Sequence, residues 1–164
     1  MPQVRVAGVA LDQTGQHVLL IKPVDELPGS GSMLPIWIGE LEATSILVAV
    51  QGAVAPRPLA HDLMRSIVDA TASRIERVEI TRLEEGTYYA EITLETPAGL
   101  RVVDARPSDA VALASRVGCP LWVSDAVMEE AGVPDLTADE GSTEESIDEF
   151  KRFLNDVDPE DFRG

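Results

Sequence analysis

The stretch Leu100-Arg101-Val102-Val103-Asp104-Ala105-Arg106-Pro107-Ser108-Asp109-Ala110-Val111-Ala112-Leu113-Ala114 decides the reading of the fold. Leu100–Ala105 has the short, Val-containing character of a strand, and the Arg-Pro step ends it. Proline presets the backbone angle of a first helical residue, and Ser108 is placed to cap a helix that buries Val111, Leu113 and Ala114 before Gly118 stops it. A strand therefore runs directly into a helix through a polar junction.

The same passage occurs earlier. Met33–Ile38 reads as a strand entering a helix at Ile38-Gly39-Glu40, where Ala43, Ile46, Leu47 and Val50 recur at helical spacing until Gly52. Two strands precede each junction. Val4–Leu11 and Val18–Ile21 flank the turn Asp12-Gln13-Thr14-Gly15, and Arg77–Leu83 meets Thr87–Glu95 across Glu84-Glu85-Gly86. In Thr87–Glu95, Tyr88, Ala90, Ile92 and Leu94 alternate with Tyr89, Glu91, Thr93 and Glu95, so one face is wet. A further helix starts near His61 and carries Leu63, Met64, Ile67, Val68 and Thr71; Leu121–Val123 is a short strand, and Ser124 caps a brief helix to Ala131. Three strands and a helix, twice, describe an internal duplication of a three-strand-plus-helix unit. Hairpin connections predict an α+β domain of mixed or antiparallel sheet with packed helices, not a doubly wound nucleotide fold. Neither G-x-G-x-x-G nor a P-loop sequence is present.

The 164 residues suffice for one core, and with 45% hydrophobic but only 4% aromatic residues that core is aliphatic. No apolar run is long enough to span a membrane and the start lacks a signal-peptide pattern, so a cytoplasmic protein with no membrane partner is expected. Lone Cys119, between Gly118 and Pro120, reads as packing. Trp37 and Trp122 read as core or interface, and His17 as surface.

The net charge of −16 disfavours tight, nonspecific nucleic-acid binding. The acidity is concentrated: from Ser124 onward there are 14 acids and 3 bases, against 15 acids and 10 bases before it. Nine of those ten bases are Arg, suited to bidentate carboxylate or phosphate contacts. Residues 1–132 read as the body, 133–141 as an acidic linker and 142–164 as an acidic amphipathic helix, opened by a Ser142/Glu145 capping box and striped by Ile147, Phe150, Phe153, Leu154 and Val157. That stripe must be covered by the chain itself, another subunit or a partner.

Pro56-Arg57-Pro58-Leu59-Ala60-His61-Asp62 and Asp104–Ala110 hold the polar clusters that fold-building does not obviously require. Leu34-Pro35-Ile36-Trp37-Ile38-Gly39 with Glu42-Ala43, then Pro56-Arg57-Pro58 with His61-Asp62-Leu63, then Asp104-Ala105-Arg106-Pro107-Ser108-Asp109-Ala110 closely resemble the motifs of the bifunctional nuclease domain family. The resemblance runs from about Val4 to Gly132. It implies a mixed α+β fold, self-association as a homo-oligomer and, by analogy with plant members that cut both DNA and RNA, hydrolysis of phosphodiester bonds.

Such chemistry needs an activated nucleophile and positive charge on the phosphate. His61 is a candidate base; Asp62, Asp104, Asp109 and Glu42 complete the catalytic set; Arg57, Arg106 and Ser108 are candidates to hold the substrate. A divalent cation such as magnesium would suit the carboxylates, although no recognised ligand spacing identifies a metal site. Against this stand structural readings of the same residues. Ser108 and Asp109 can serve as cap and dipole partner, Arg106 can pair with Asp104 or Asp62, and His61 and Asp62 can stabilise a helix's first turn. On those readings the protein is a noncatalytic oligomeric binding or regulatory module.

Overall fold

The computed structural model describes residues 1–136; the expected C-terminal helix and most of the expected linker lie outside the described residues. The chain forms β1 (Gln3–Leu11), β2 (His17–Pro23), β3 (Ser32–Ile38), α1 (Glu40–Val50), α2 (Ala60–Ala70), β4 (Arg74–Glu84), β5 (Thr87–Thr96), β6 (Gly99–Ala105), α3 (Pro107–Val117), β7 (Leu121–Val123), α4 (Asp125–Ala131) and β8 (Val133–Pro134). One eight-stranded mixed sheet has the order β6-β5-β4-β7-β1-β2-β3-β8. The fold is α+β, as the hairpin connections require.

Each half is an antiparallel meander, β1-β2-β3 or β4-β5-β6, that runs straight into a helix, α1 or α3. β7 joins the halves, antiparallel to β1 and parallel to β4. Pro35 sits in β3 opposite Leu20, while β8 pairs on the other side only with Ser32 and Met33. The proline thus lies where β3 is no longer paired by β8, the edge-like position a strand proline favours.

The sheet curls. β3 and β5 are separated by four strands in the order, yet the Tyr88 hydroxyl donates to the Pro35 carbonyl at 3.3 Å. Burial pushes the Tyr88 phenol well above its ordinary pKa. Inside the curl, Leu19, Ile21, Leu34 and Ile36 meet Val78, Ile80, Ala90 and Ile92, with Ala43 and Ile46 of α1 and Ala110, Val111 and Leu113 of α3. Val18, Leu20, Met33 and Trp37 form a smaller cluster on the other face, where Trp37 Nε1 donates to Asp12 Oδ2 at 3.0 Å. Cys119 packs half-buried against the main core, and burial raises its thiol pKa.

Past Gly132, β8 pairs with β3, and the buried Asp135 carboxylate lies 2.9 Å from the equally buried Lys22 ammonium. The first residues of the expected linker are therefore fastened to the body. Composition could not show that this acid has a buried cation waiting for it.

α2 carries the expected apolar stripe but does not bury it. Leu63, Met64 and Ile67 are exposed, and His61 is the helix's one buried residue.

Candidate functional site

The two strand-to-helix junctions meet, with α2 laid beside them, and five side chains converge. Asp109, in the first turn of α3, receives Arg106 Nε at 2.8 Å on Oδ2 and faces His61 Nε2 at 2.9 Å with Oδ1. The opposite ring nitrogen, Nδ1, lies 2.6 Å from Ser45 Oγ on α1. Arg106 Nη2 donates to Glu42 Oε1 at 3.0 Å. A chain of contacts thus runs Ser45, His61, Asp109, Arg106, Glu42 across three helices.

Local sequence explains these placements. Gly39 caps α1 with no side chain of its own, and a Cβ there would collide with the Glu42 carboxylate. The glycine leaves room for Glu42 to lie close to the helix start and reach Arg106. Arg106 takes the N-cap position of α3 in extended conformation, with Pro107 as first helical residue. Its side chain stays 58% exposed while Asp109 and Glu42 hold it.

Burial alone would raise the Asp109 carboxyl, but hydrogen bonds from Arg106 and His61, with Arg106's charge, hold it below the usual carboxylate range. The Arg106 guanidinium is correspondingly raised, chiefly by its bond to Asp109. Ionised Asp109 can only accept, so His61 carries its hydrogen on Nε2 in that contact. In the neutral ring the lone pair is then on Nδ1 and accepts from the Ser45 hydroxyl. The ring is used in the reverse sense from a serine-protease triad, where the acid faces Nδ1.

The other expected residues divide. Asp62 turns away from the cluster: Oδ2 accepts from the Leu59 N–H at 2.9 Å, and Oδ1 from Arg116 Nε at 2.8 Å. The Arg116 bond, followed by that from Leu59, lowers its pKa. Arg116 Nη1 also donates to the carbonyls of Ser45 at 3.2 Å and Ala112 at 3.0 Å, so this buried guanidinium ties α1, α2 and α3 together. Ser108 lies one position inside α3 and does not cap it; its buried hydroxyl has no partner among the described residues, because Pro107 shifts the cap to Arg106. Asp104 is on β6, opposite Glu91, and Arg57 is exposed on the loop before α2; neither forms an ion pair among the described residues. Arg106 therefore pairs with neither Asp104 nor Asp62. Asp62, Asp104 and Asp109 do not converge, and among the described residues no three acidic, His or Cys side chains are grouped to hold a metal ion.

Two residues escape the sequence reading, Ser45 and Arg116. Spacing holds the signal: Ser45 is three residues after Glu42 and Arg116 seven after Asp109, in each case on the same helix face.

The cluster is open to solvent through two cavities. One, about 510 Å³, is lined by Leu41, Glu42, Ser45, His61, Met64 and Arg106 among others. A second of about 470 Å³ lies between α2 and the β5–β6 edge, with Val68, Leu94, Val103 and Leu113 in its walls. Met64, Arg106 and Asp109 belong to both, so they form one groove across the cluster.

A family model described as the bifunctional nuclease domain matches residues 25–135. An uncharacterized protein of Mycobacterium tuberculosis is 41% identical over 99% of each chain. Bifunctional nuclease 1 of Oryza sativa subsp. indica is 24% identical over 85% of this chain, which covers 42% of the rice protein. Bifunctional nuclease 1 of Arabidopsis thaliana is 25% identical over 71% of this chain and is covered over 36% of its length. Both plant proteins are more than twice as long as the region they share with it. All three motifs that meet at the helix junctions lie inside the matched region, and the chain belongs to the bifunctional nuclease domain family.

Proposed function

We propose that the protein hydrolyses phosphodiester bonds in DNA and RNA at the groove between α1, α2 and α3. The observation that carries this reading is the Ser45–His61–Asp109 chain ending on the exposed cation Arg106 inside an open groove. The family membership and the names of the plant relatives support it.

A phosphate entering the groove competes with Glu42 for Arg106 Nη2. The bond from Arg106 Nε to Asp109 keeps the guanidinium oriented while its outer edge turns to the phosphate oxygens, and it stabilises the charge that grows on them. His61 Nδ1 takes a proton through Ser45: the attacking water gives its proton to Oγ as the hydroxyl passes its own to the ring. Asp109 holds the ring orientation and stabilises the imidazolium that results. With two carboxylates around one guanidinium the resting cluster carries excess negative charge, so substrate is held weakly.

Asp104, Asp62, Arg57 and Ser108 take other roles in this proposal. Asp62 organises the helix packing through Arg116, Ser108 is buried in the first turn of α3, Arg57 sits outside the cluster, and Asp104 lines the second cavity without bonding to the cluster.

The mutual pairing of Glu42, Arg106, Asp109 and His61 supports a second reading, in which the family's motif residues lock the two halves of a noncatalytic binding or regulatory module. Cleavage of labelled single- and double-stranded DNA and RNA by purified protein, with and without divalent cation, separates the two. The nuclease reading predicts activity that falls at least about a hundredfold in folded His61→Ala and Arg106→Ala variants and persists in Asp104→Asn. Absence of cleavage in every sample, or equal cleavage in all, supports the second reading instead.

A further inference from the structure

The two ends of the sheet are built differently. β8 is two residues long and ends in Pro134, and Pro35 follows in β3 where that pairing stops, so this end offers another chain little to pair with. β6, at the opposite end, has seven residues, no proline and an unbroken register with β5, and no further strand pairs with its outer side among the described residues. Leu100 and Val102 are 60% exposed and Val103 is 44% exposed. A long, flat, apolar edge of this kind is a template for another strand, and proteins that leave such an edge unused blunt it.

The sequence of β6 fits a second copy of itself. In a two-fold antiparallel pair within one continuous sheet, opposed residues point to the same face, so one residue must lie on the axis and face its own copy. With Val102 on the axis the whole of Gly99–Ala105 overlaps: Leu100 faces the partner's Asp104, Arg101 the partner's Val103, and Val102 the partner's Val102. No like charges are opposed. Centring the pair on Arg101 shortens the overlap and sets two guanidinium groups face to face; centring it on Val103 shortens the overlap and leaves Leu100 unpaired.

The same register answers a charge left open in the structure. Arg101 lies opposite Leu94, on the face that carries Val103 and Ile92. There the cavity between α2 and the β5–β6 edge is lined by Asp104 and Asp109 against Arg106, an excess of acid. Within its own chain Arg101 donates to the Leu100 carbonyl at 2.9 Å and forms no ion pair among the described residues. Across the pair, the partner's Arg101 stands opposite Val103, in the cavity wall, with Cβ atoms about 5 Å apart. Its apolar stem covers Val103 and its guanidinium meets the acids.

A stable pair of chains buries about 800 Å² on each, more than one strand supplies. Met64 and Val68 of α2 share the cavity with Val103, so α2 stands over the same edge, and Leu63, Met64 and Ile67 leave apolar area exposed there. We propose that β6 pairs with β6 of a second copy about Val102, that the two α2 helices flank the axis, and that the partner's Arg101 completes the charge at the cavity mouth. The pairing stands on the sheet edge and does not depend on the function proposed above.

Sedimentation of the full chain over a range of concentrations, with disulfide trapping in a Cys119→Ala background, tests it. The wild type sediments as two chains. Val102→Lys opposes two ammonium groups on the axis and raises the dissociation constant at least about tenfold, with the circular dichroism of the wild type retained because the side chain is exposed in the single chain. Arg101→Glu adds an acid at each cavity mouth and weakens the dimer several-fold. Val102→Cys cross-links to its own copy under mild oxidation, since opposed Cα atoms lie about 4.5–5.5 Å apart, whereas Leu100→Cys does not, its copy being more than about 13 Å away along the strands. A wild type that remains one chain up to about 100 μM overturns the proposal. So does a dimer that survives Val102→Lys unchanged, or that cross-links through Leu100→Cys rather than Val102→Cys, because the contact then lies elsewhere. A dimer that passes these tests but cleaves no nucleic acid overturns the proposed function and leaves the pairing standing.

Discussion

His61 on α2 and Asp109 on α3, 48 residues apart in the chain, meet at 2.9 Å through Nε2 and Oδ1, and this contact joins the helix between the two halves to the second strand-to-helix junction. It also sets the chemistry of the ring. With Asp109 ionised and accepting at Nε2, the one nitrogen of neutral His61 able to take a proton faces Ser45.

Ser45→Ala removes the hydroxyl at 2.6 Å from Nδ1 and leaves a buried acceptor without its donor. The variant remains folded and loses about 1–3 kcal/mol of stability by denaturant unfolding. Cleavage falls more than stability does, because the proton path to His61 is broken; wild-type cleavage in a folded Ser45→Ala protein would remove Ser45 from the mechanism.

Asp109 sets an acid limb on stability. Its folded carboxyl pKa lies below the ordinary value, so its contribution is complete above about pH 4 and disappears as pH falls through the lowered folded value. Chemical-denaturation stability measured between about pH 2 and pH 6 therefore falls on acidification in the wild type, and this part of the fall is missing in Asp109→Asn. Identical pH profiles for the two proteins would contradict the assignment.

Arg106→Lys keeps the charge but loses the planar fork that holds Asp109 through Nε and Glu42 through Nη2. Substrate affinity measured by fluorescence anisotropy weakens modestly, and turnover drops at least about tenfold. Arg57→Lys, which changes an exposed group outside the cluster, leaves turnover close to that of the wild type.

Lys22 and Asp135 form an ion pair from which water is excluded, with Glu26 3.6 Å from the ammonium on the loop side and the Ser30 carbonyl accepting from it. Asp135→Asn leaves Lys22 short of a buried counter-charge and costs about 3–5 kcal/mol. Replacing both residues by apolar ones of similar volume, Lys22→Met with Asp135→Leu, restores most of the loss. A thermal melt that moves by less than about a degree in Asp135→Asn would show that the pair does not fasten the end of the body.

The meanders and their helices are legible in the sequence because local patterns carry them: alternation in Thr87–Glu95, helical spacing from Ala43 to Val50, and the left-handed stop at Gly118. The cluster is legible only in part. His61, Asp109, Arg106 and Glu42 stand out by residue type, but which partner each takes depends on how α1, α2 and α3 cross, and no window of sequence contains that. Asp62 sits beside His61 in the chain yet faces a different way, to Arg116, because successive residues on a helix point about 100° apart. Ser108 differs from expectation for a simpler reason: with proline at the first helical position the cap falls two residues earlier, on Arg106. Ser45 and Arg116 look ordinary in helices and acquire meaning only through the groups they touch.

The decisive measurement is cleavage of end-labelled single-stranded RNA and DNA by the wild type beside a folded His61→Gln variant purified identically. A catalytic His61 predicts products with the wild type and at least about a hundredfold fewer, the effect of losing a general base, with His61→Gln. Equal cleavage by both proteins would contradict a catalytic site at the junction of α1, α2 and α3.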